Sequence, residues 1–149
     1  MDLIEALLTD IYNRITGDAE MQTLMGGSIE ERGEWLHPEE AEKDAEFPYL
    51  VHSFEEETVG TDFGFADGFY TIDAWTYNSK WTQARNLRKR LIELLDECYL
   101  TSSVYTFCYL WLEGRSRAMP TDNVMVKRLS LPFRARHART QEIKSILAR

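Results

Sequence analysis

The stretch Phe69-Tyr70-Thr71-Ile72-Asp73-Ala74-Trp75-Thr76-Tyr77-Asn78-Ser79-Lys80-Trp81-Thr82-Gln83-Ala84-Arg85-Asn86-Leu87-Arg88-Lys89-Arg90-Leu91-Ile92-Glu93-Leu94-Leu95 changes its period midway. Up to Tyr77 the residues alternate. Tyr70, Ile72, Ala74 and Thr76 fall on one face of a strand, and Phe69, Thr71, Asp73, Trp75 and Tyr77 on the other. Beyond Ser79 the spacing becomes three and four. Trp81, Ala84, Leu87, Leu91, Leu94 and Leu95 make an apolar stripe, with Arg85, Arg88, Lys89 and Arg90 largely off it. Ser79 is the candidate N-cap, without the Glu or Gln three residues on that completes a capping box. A strand thus runs straight into an amphipathic helix. Neither carries a constellation of reacting groups, so the segment reads as built for packing and assembly.

Working outward, Leu3, Ile4, Leu7, Leu8, Ile11, Tyr12 and Ile15 predict a helix over residues 2–16, ended by Gly17. Asp18 caps a short second helix that stops at Gly26-Gly27. The acidic stretch 28–46 reads as an extended loop with one helical turn at Pro38-Glu39-Glu40-Ala41. Residues 47–54 read as a strand opened by Phe47-Pro48, where the missing donor of proline does least harm. Glu55-Glu56-Glu57 must then emerge into solvent. Gly60, Gly64 and Gly68, with Phe63 and Phe65 among them, mark a loop presenting aromatic side chains. Val104 to Leu112 is a strand apolar on both faces, with Tyr105, Phe107, Tyr109 and Trp111 opposite Val104, Cys108, Leu110 and Leu112. Such strands are covered on both sides, here by the chain's own helices and by a neighbouring subunit. A last strand over 123–133 precedes a basic segment.

The order α-β-β-α-β-β predicts an α+β two-layer sandwich, a roughly four-stranded, mostly antiparallel sheet flanked by helices. The expected division is one domain over residues 1–135 and a basic C-terminal tail over 136–149. A chain of 149 residues buries a sizeable core. No apolar run approaches the roughly 18–20 residues that cross a bilayer, and Met1-Asp2-Leu3-Ile4-Glu5 lacks the basic start of a signal peptide. No membrane partner is expected, and folding in a cytoplasm is.

The net charge of −8 conceals an asymmetry. Residues 1–62 hold 17 acids and 3 bases, and residues 63–149 hold 8 acids and 14 bases. Such a split marks either a nucleic-acid-binding arm or self-association, one subunit's acidic face meeting the next one's basic face. The overall acidity favours the second.

Sites of chemistry are not legible. His37, His52 and His137 fall in a loop, a strand and the tail, outside any metal-ligand spacing, and Cys98 and Cys108 read as small buried hydrophobes. Phosphate-binding loops, nucleophile elbows and dinucleotide fingerprints are absent from the sequence. The acids from Glu39 to Glu46 lack the spacing that fixes ligands round one cation. Asp73, mid-strand beside Thr71 and Trp75, is either an outward polar residue or a partner for a base at a subunit interface. Arg134, Arg136, Arg139, Lys144 and Arg149 either grip phosphates or clasp a neighbour, and no aromatic interleaves with them to stack bases. No catalytic residue, cofactor or metal is expected.

The sequence resembles the tail-completion, or tail-terminator, proteins of long-tailed bacteriophages and prophages. The resemblance rests on the helix Leu3-Ile4-Glu5-Ala6-Leu7-Leu8, the turn Gly17-Asp18-Ala19 and the opening Phe47-Pro48-Tyr49-Leu50-Val51. It rests above all on Ile72-Asp73-Ala74-Trp75-Thr76 followed by Ser79, Gln83-Ala84 and the leucine-striped helix. The strand pair 104–112 and 123–131 completes the pattern. The acidic 28–46 segment and the extension after Phe133 depart from it. The resemblance implies a non-catalytic virion subunit, assembled in the host cytoplasm. It implies a homo-oligomer, commonly a hexameric ring, on the head-proximal end of the tail tube. The implied partners are the tail tube protein and the head–tail connector protein, with DNA passing through the lumen without specific binding. Subunit or partner contacts are expected at Phe63, Phe65, Asp73, Trp75, Arg85, Arg88, Tyr109, Trp111, Arg134 and Arg136. The alternative is a nucleic-acid-binding or assembly adaptor that uses the basic C-terminal tail.

Overall fold

In the computed structural model, which describes residues 3–56, 65–102 and 105–139, the alternating half of the 69–95 stretch is the middle of a long strand. Three helices come first: α1 (Leu3–Thr16), α2 (Ala19–Leu24) and α3 (Ile29–Arg32). Then follow β1 (Leu36–Pro38), β2 (Tyr49–Glu56), β3 (Phe65–Tyr77), α4 (Thr82–Leu95), β4 (Cys98–Leu100), β5 (Tyr105–Leu112), β6 (Arg117–Met119) and β7 (Val126–Arg139). The strands form one open sheet in the order β1-β2-β3-β7-β5-β4, and β6 pairs with β7 beyond the end of β5. β1 runs parallel to β2, and every other pair is antiparallel.

Mixed α+β architecture and a mostly antiparallel sheet agree with the sequence reading; the four-stranded sheet does not. The described residues form a seven-stranded sheet. The additional strands, β1, β4 and β6, have three residues each, too few for an alternation to register as a pattern. β7 also runs through Arg136, His137, Ala138 and Arg139, residues expected in a tail. Their backbone pairs with β3 and β5, which basic composition alone obscures.

Two local expectations are corrected. The helical turn in the acidic segment lies at Ile29–Arg32, because Ser28 and Glu31 form a capping box; Pro38 instead ends β1. α4 starts at Thr82 with Trp81 at the N-cap and no side-chain cap. Ser79 sits in the preceding turn, where Asn78 Oδ1 accepts from the Lys80 amide at 3.0 Å. Asp18 does cap α2, accepting from the Met21 amide at 2.9 Å. It also takes two bonds from Arg90 at 2.6 and 2.9 Å, which tie α4 to α2 and hold the Asp18 carboxyl below its usual range.

The helices cover one face of the sheet. Leu7, Ile11 and Ile15 of α1 and Leu87, Leu91 and Leu95 of α4 form one core with Leu50, Ile72, Cys108, Leu131 and Phe133 from the strands. Each such side chain contributes roughly 1.5–3 kcal/mol by burial. Trp35 joins them fully buried, its indole N–H donating to the Gly27 carbonyl at 3.0 Å. The buried polar groups here are few. His52 Nδ1 shares a 2.7 Å hydrogen bond with the Tyr70 hydroxyl. Burial lowers the His52 imidazole to about 4 and raises Tyr70 well above its normal range, so both stay neutral. Cys98 and Cys108 are free and buried, and burial pushes the Cys108 thiol up to about 12. No helix of the described residues is long and apolar enough to cross a membrane.

Candidate assembly face

The opposite face of the sheet carries the odd residues of β2, the odd residues 67–77 of β3, Tyr109 and Trp111 of β5 and the even residues 126–136 of β7. Register places Tyr49 beside Trp75 and Trp75 beside Arg128. The Tyr49 and Trp75 rings stack at 5.8 Å with 15° between planes, and the Arg128 guanidinium lies 4.9 Å from the Trp75 centroid. Arg128 Nε and Nη2 both donate to Asp73 Oδ2, at 2.9 and 2.6 Å. Asp73 Oδ1 is buried and has no hydrogen-bond partner among the described residues. Phe47 extends this cluster toward Tyr49 and Tyr77, 5.2 and 5.6 Å away.

A second cluster lies farther along the sheet. Phe69, Arg134 and Trp111 are cross-strand neighbours, as are Asp67, Arg136 and Tyr109. The Arg134 guanidinium stands 4.5 Å above the Phe69 centroid. Arg136 grips Asp67 through two bonds of 2.8 and 3.1 Å. That pairing, aided by Arg134, holds the Asp67 carboxyl below its usual range against the opposing effect of burial. Tyr109 stacks on Trp111 at 5.5 Å and meets Tyr99, 4.5 Å away and 70% exposed. A groove of about 450 Å³ opens beside these rings, lined by Asp96, Glu97, Trp111 and Arg136 among others. Between the clusters lies a strip of small residues, Val51, Ser53, Thr71, Ser130 and Pro132.

Six of the residues expected at contacts thus share one face: Asp73, Trp75, Tyr109, Trp111, Arg134 and Arg136. The base partner of Asp73 is Arg128 of the same chain. Arg85 and Arg88 are not on this face; they leave α4 on the helical side, where Arg88 Nη1 donates to Ser116 Oγ at 3.3 Å. Phe65 opens β3, its backbone paired with Ala138, and Phe63 lies outside the described residues. Sequence reasoning missed Tyr49, Asp67, Phe69 and Arg128 as members. The signal was present: Arg128, Arg134 and Arg136 share parity along one strand, but a strand end drawn at Phe133 left Arg134 and Arg136 outside it.

The chemistry of this face is adhesive. Its arginines lie over rings or against carboxylates, and its aromatic rings are half covered. Among the described residues no group of three His, Cys, Asp or Glu side chains is placed to hold a metal ion. One face of the sheet is thus sealed by helices, and the other bears aromatic and arginine side chains, the residue types enriched at protein interfaces. A chain from the virion of a native gene transfer agent particle has the same fold. It aligns with a TM-score of 0.71 at 18% sequence identity, over 91% of this chain and 97% of that one. No protein-family model matches the sequence, and neither does any curated protein.

Proposed function

We propose that this chain is a structural subunit of a phage-type virion, a tail terminator that forms a ring on the head-proximal end of the tail tube and joins it to the head connector. The observation that carries this reading is the fold shared, nearly end to end, with a chain of a gene transfer agent virion. It agrees with the independent resemblance of the Ile72–Thr76 strand and the helix after it. The aromatic and arginine face supplies contact area of the kind interfaces favour. In this role the protein needs shape and complementary surfaces and performs no reaction. DNA passes through the ring without specific binding.

The nucleic-acid adaptor is the weaker reading. Arg134 and Arg136 belong to a strand and face Asp67, so their charge is partly neutralised before any phosphate arrives. The test is genetic. Particles made without this chain are expected to accumulate as filled heads and separate tails, with tails of uncontrolled length in electron micrographs. Normal joined particles in its absence would refute the role.

A further inference from the structure

The charges that find partners inside the chain differ from those that do not. Arg90 meets Asp18, Glu20 and Glu93, and Arg128, Arg134 and Arg136 all meet carboxylates. Among the described residues, no carboxylate pairs with Arg85, Lys89, Arg115 or Arg117, which are all exposed. Nor does any base form an ion pair with the exposed Glu39, Glu40, Glu42 or Asp44. Each segment carries a net excess of one sign: residues 39–44 hold four acids and one base, Lys43, whereas residues 115–117 hold two bases and no acid. The acids follow β1 at one edge of the sheet. Arg115 and Arg117 lie at β6, the outermost strand on the other side at this height, where the Arg88–Ser116 bond holds the β5–β6 turn against α4.

The two edges also lie level. Register runs from His37 through Val51, Asp73 and Ser130 to Arg117, and from Leu36 through Leu50, Ala74 and Leu129 to Ala118. Three reversals separate β1 from β6, so the two strands run antiparallel. A second copy set beside the first in the same orientation therefore brings its β1 antiparallel to the first copy's β6, at the same height. We infer that the β6 edge, with Arg115 and Arg117, docks on the acidic β1 edge of a second copy, giving a head-to-tail interface that repeats around a ring. This assigns surfaces to the ring of the proposed function and rests on that reading. Both strands are short and Pro38 offers no N–H, so the backbone adds at most a bond or two. Charge complementarity selects the partner and the direction. A head-to-tail contact generates a closed ring when its rotation closes.

Charge reversal tests this on the full chain by sedimentation velocity. One variant carries Arg115→Glu and Arg117→Glu, the other Glu40→Lys and Glu42→Lys. All four sites are exposed, so melting temperatures should match the wild type. The wild type is expected to assemble at low salt and to dissociate in 1 M salt, where the screening length is about 3 Å. Each variant alone should lose assembly, and an equimolar mixture should regain it as an oligomer containing both, because reversed edges match each other. Variants that assemble like the wild type, or a mixture that stays monomeric, would overturn the edge assignment and leave the ring itself standing. A wild type that is monomeric at low salt would overturn both.

Discussion

Two sets of side chains leave β3 in opposite directions. Tyr70, Ile72, Ala74 and Thr76 point beneath the helices and are fully buried. Phe69, Thr71, Asp73, Trp75 and Tyr77 point the other way, where Phe69 is 37% and Tyr77 52% exposed. The covered face is held by apolar area. The open face is held by register: each arginine sits where the neighbouring strand offers a ring or a carboxylate. One face therefore carries most of the buried core, and the other leaves aromatic and arginine side chains partly exposed, the surface proposed for assembly. A strand can serve both purposes because a period of two separates them completely.

The comparison breaks most readily at matched phenylalanines. Phe133→Ala, on the covered face, should cost about 3–5 kcal/mol, read as a fall in the denaturant midpoint. Phe69→Ala, on the open face, should cost only about 1 kcal/mol, the scale of one ring contact. Equal losses would mean that the open face also carries the fold.

Acid should act on the covered face next. His52 titrates near 4 when folded and near 6.5 when unfolded. The unfolded chain therefore binds a proton first as pH falls, and stability drops between about 6.5 and 4, by roughly 3 kcal/mol from this residue. Above pH 6.5 the effect vanishes. Urea midpoints of wild type and His52→Gln across this range should diverge accordingly, with the variant flatter. Parallel curves would remove His52 from the account.

On the open face the direction is the same, stability lost as pH falls, but the effect is smaller and sits at lower pH. Asp67 is held low by Arg136, so its contribution is present above about 3.9 and is lost as pH falls through the lower folded value. Half the Arg136 side chain is exposed, which limits the pair to about 1 kcal/mol. Asp67→Asn should show that deficit at pH 7 and converge with wild type in acid. The smallest effect belongs to Arg128. Replacing it with Lys keeps the charge and loses the planar stack on Trp75, about 0.5 kcal/mol of stability. Any larger effect should appear in assembly.

Much of the fold was legible. The Phe69–Leu95 stretch announced its strand and helix because both periods persist long enough to be read. The strands around Tyr49, Tyr105 and Val126 were legible for the same reason, as was the Asp18 cap. β1, β4 and β6 were not, since three residues carry no periodicity and tertiary pairing alone creates them. Ser28-Ile29-Glu30-Glu31 was readable as a capping box but lay hidden in acidic composition. At the candidate face, Asp73, Trp75, Tyr109 and Trp111 followed from strand parity. Their pairing with Arg128 and with one another depended on strand order, which parity does not specify. Arg85 and Arg88 were grouped with them by charge alone, and charge does not say which layer a residue occupies.

The central claim is that this fold assembles with copies of itself around a closed axis. Native mass spectrometry of the full chain at low ionic strength, with negative-stain images of the same sample, tests it most directly. The account predicts one dominant species of six copies and ring-shaped particles with a central hole. A monomer at every concentration, or an open-ended ladder of masses without rings, would contradict it.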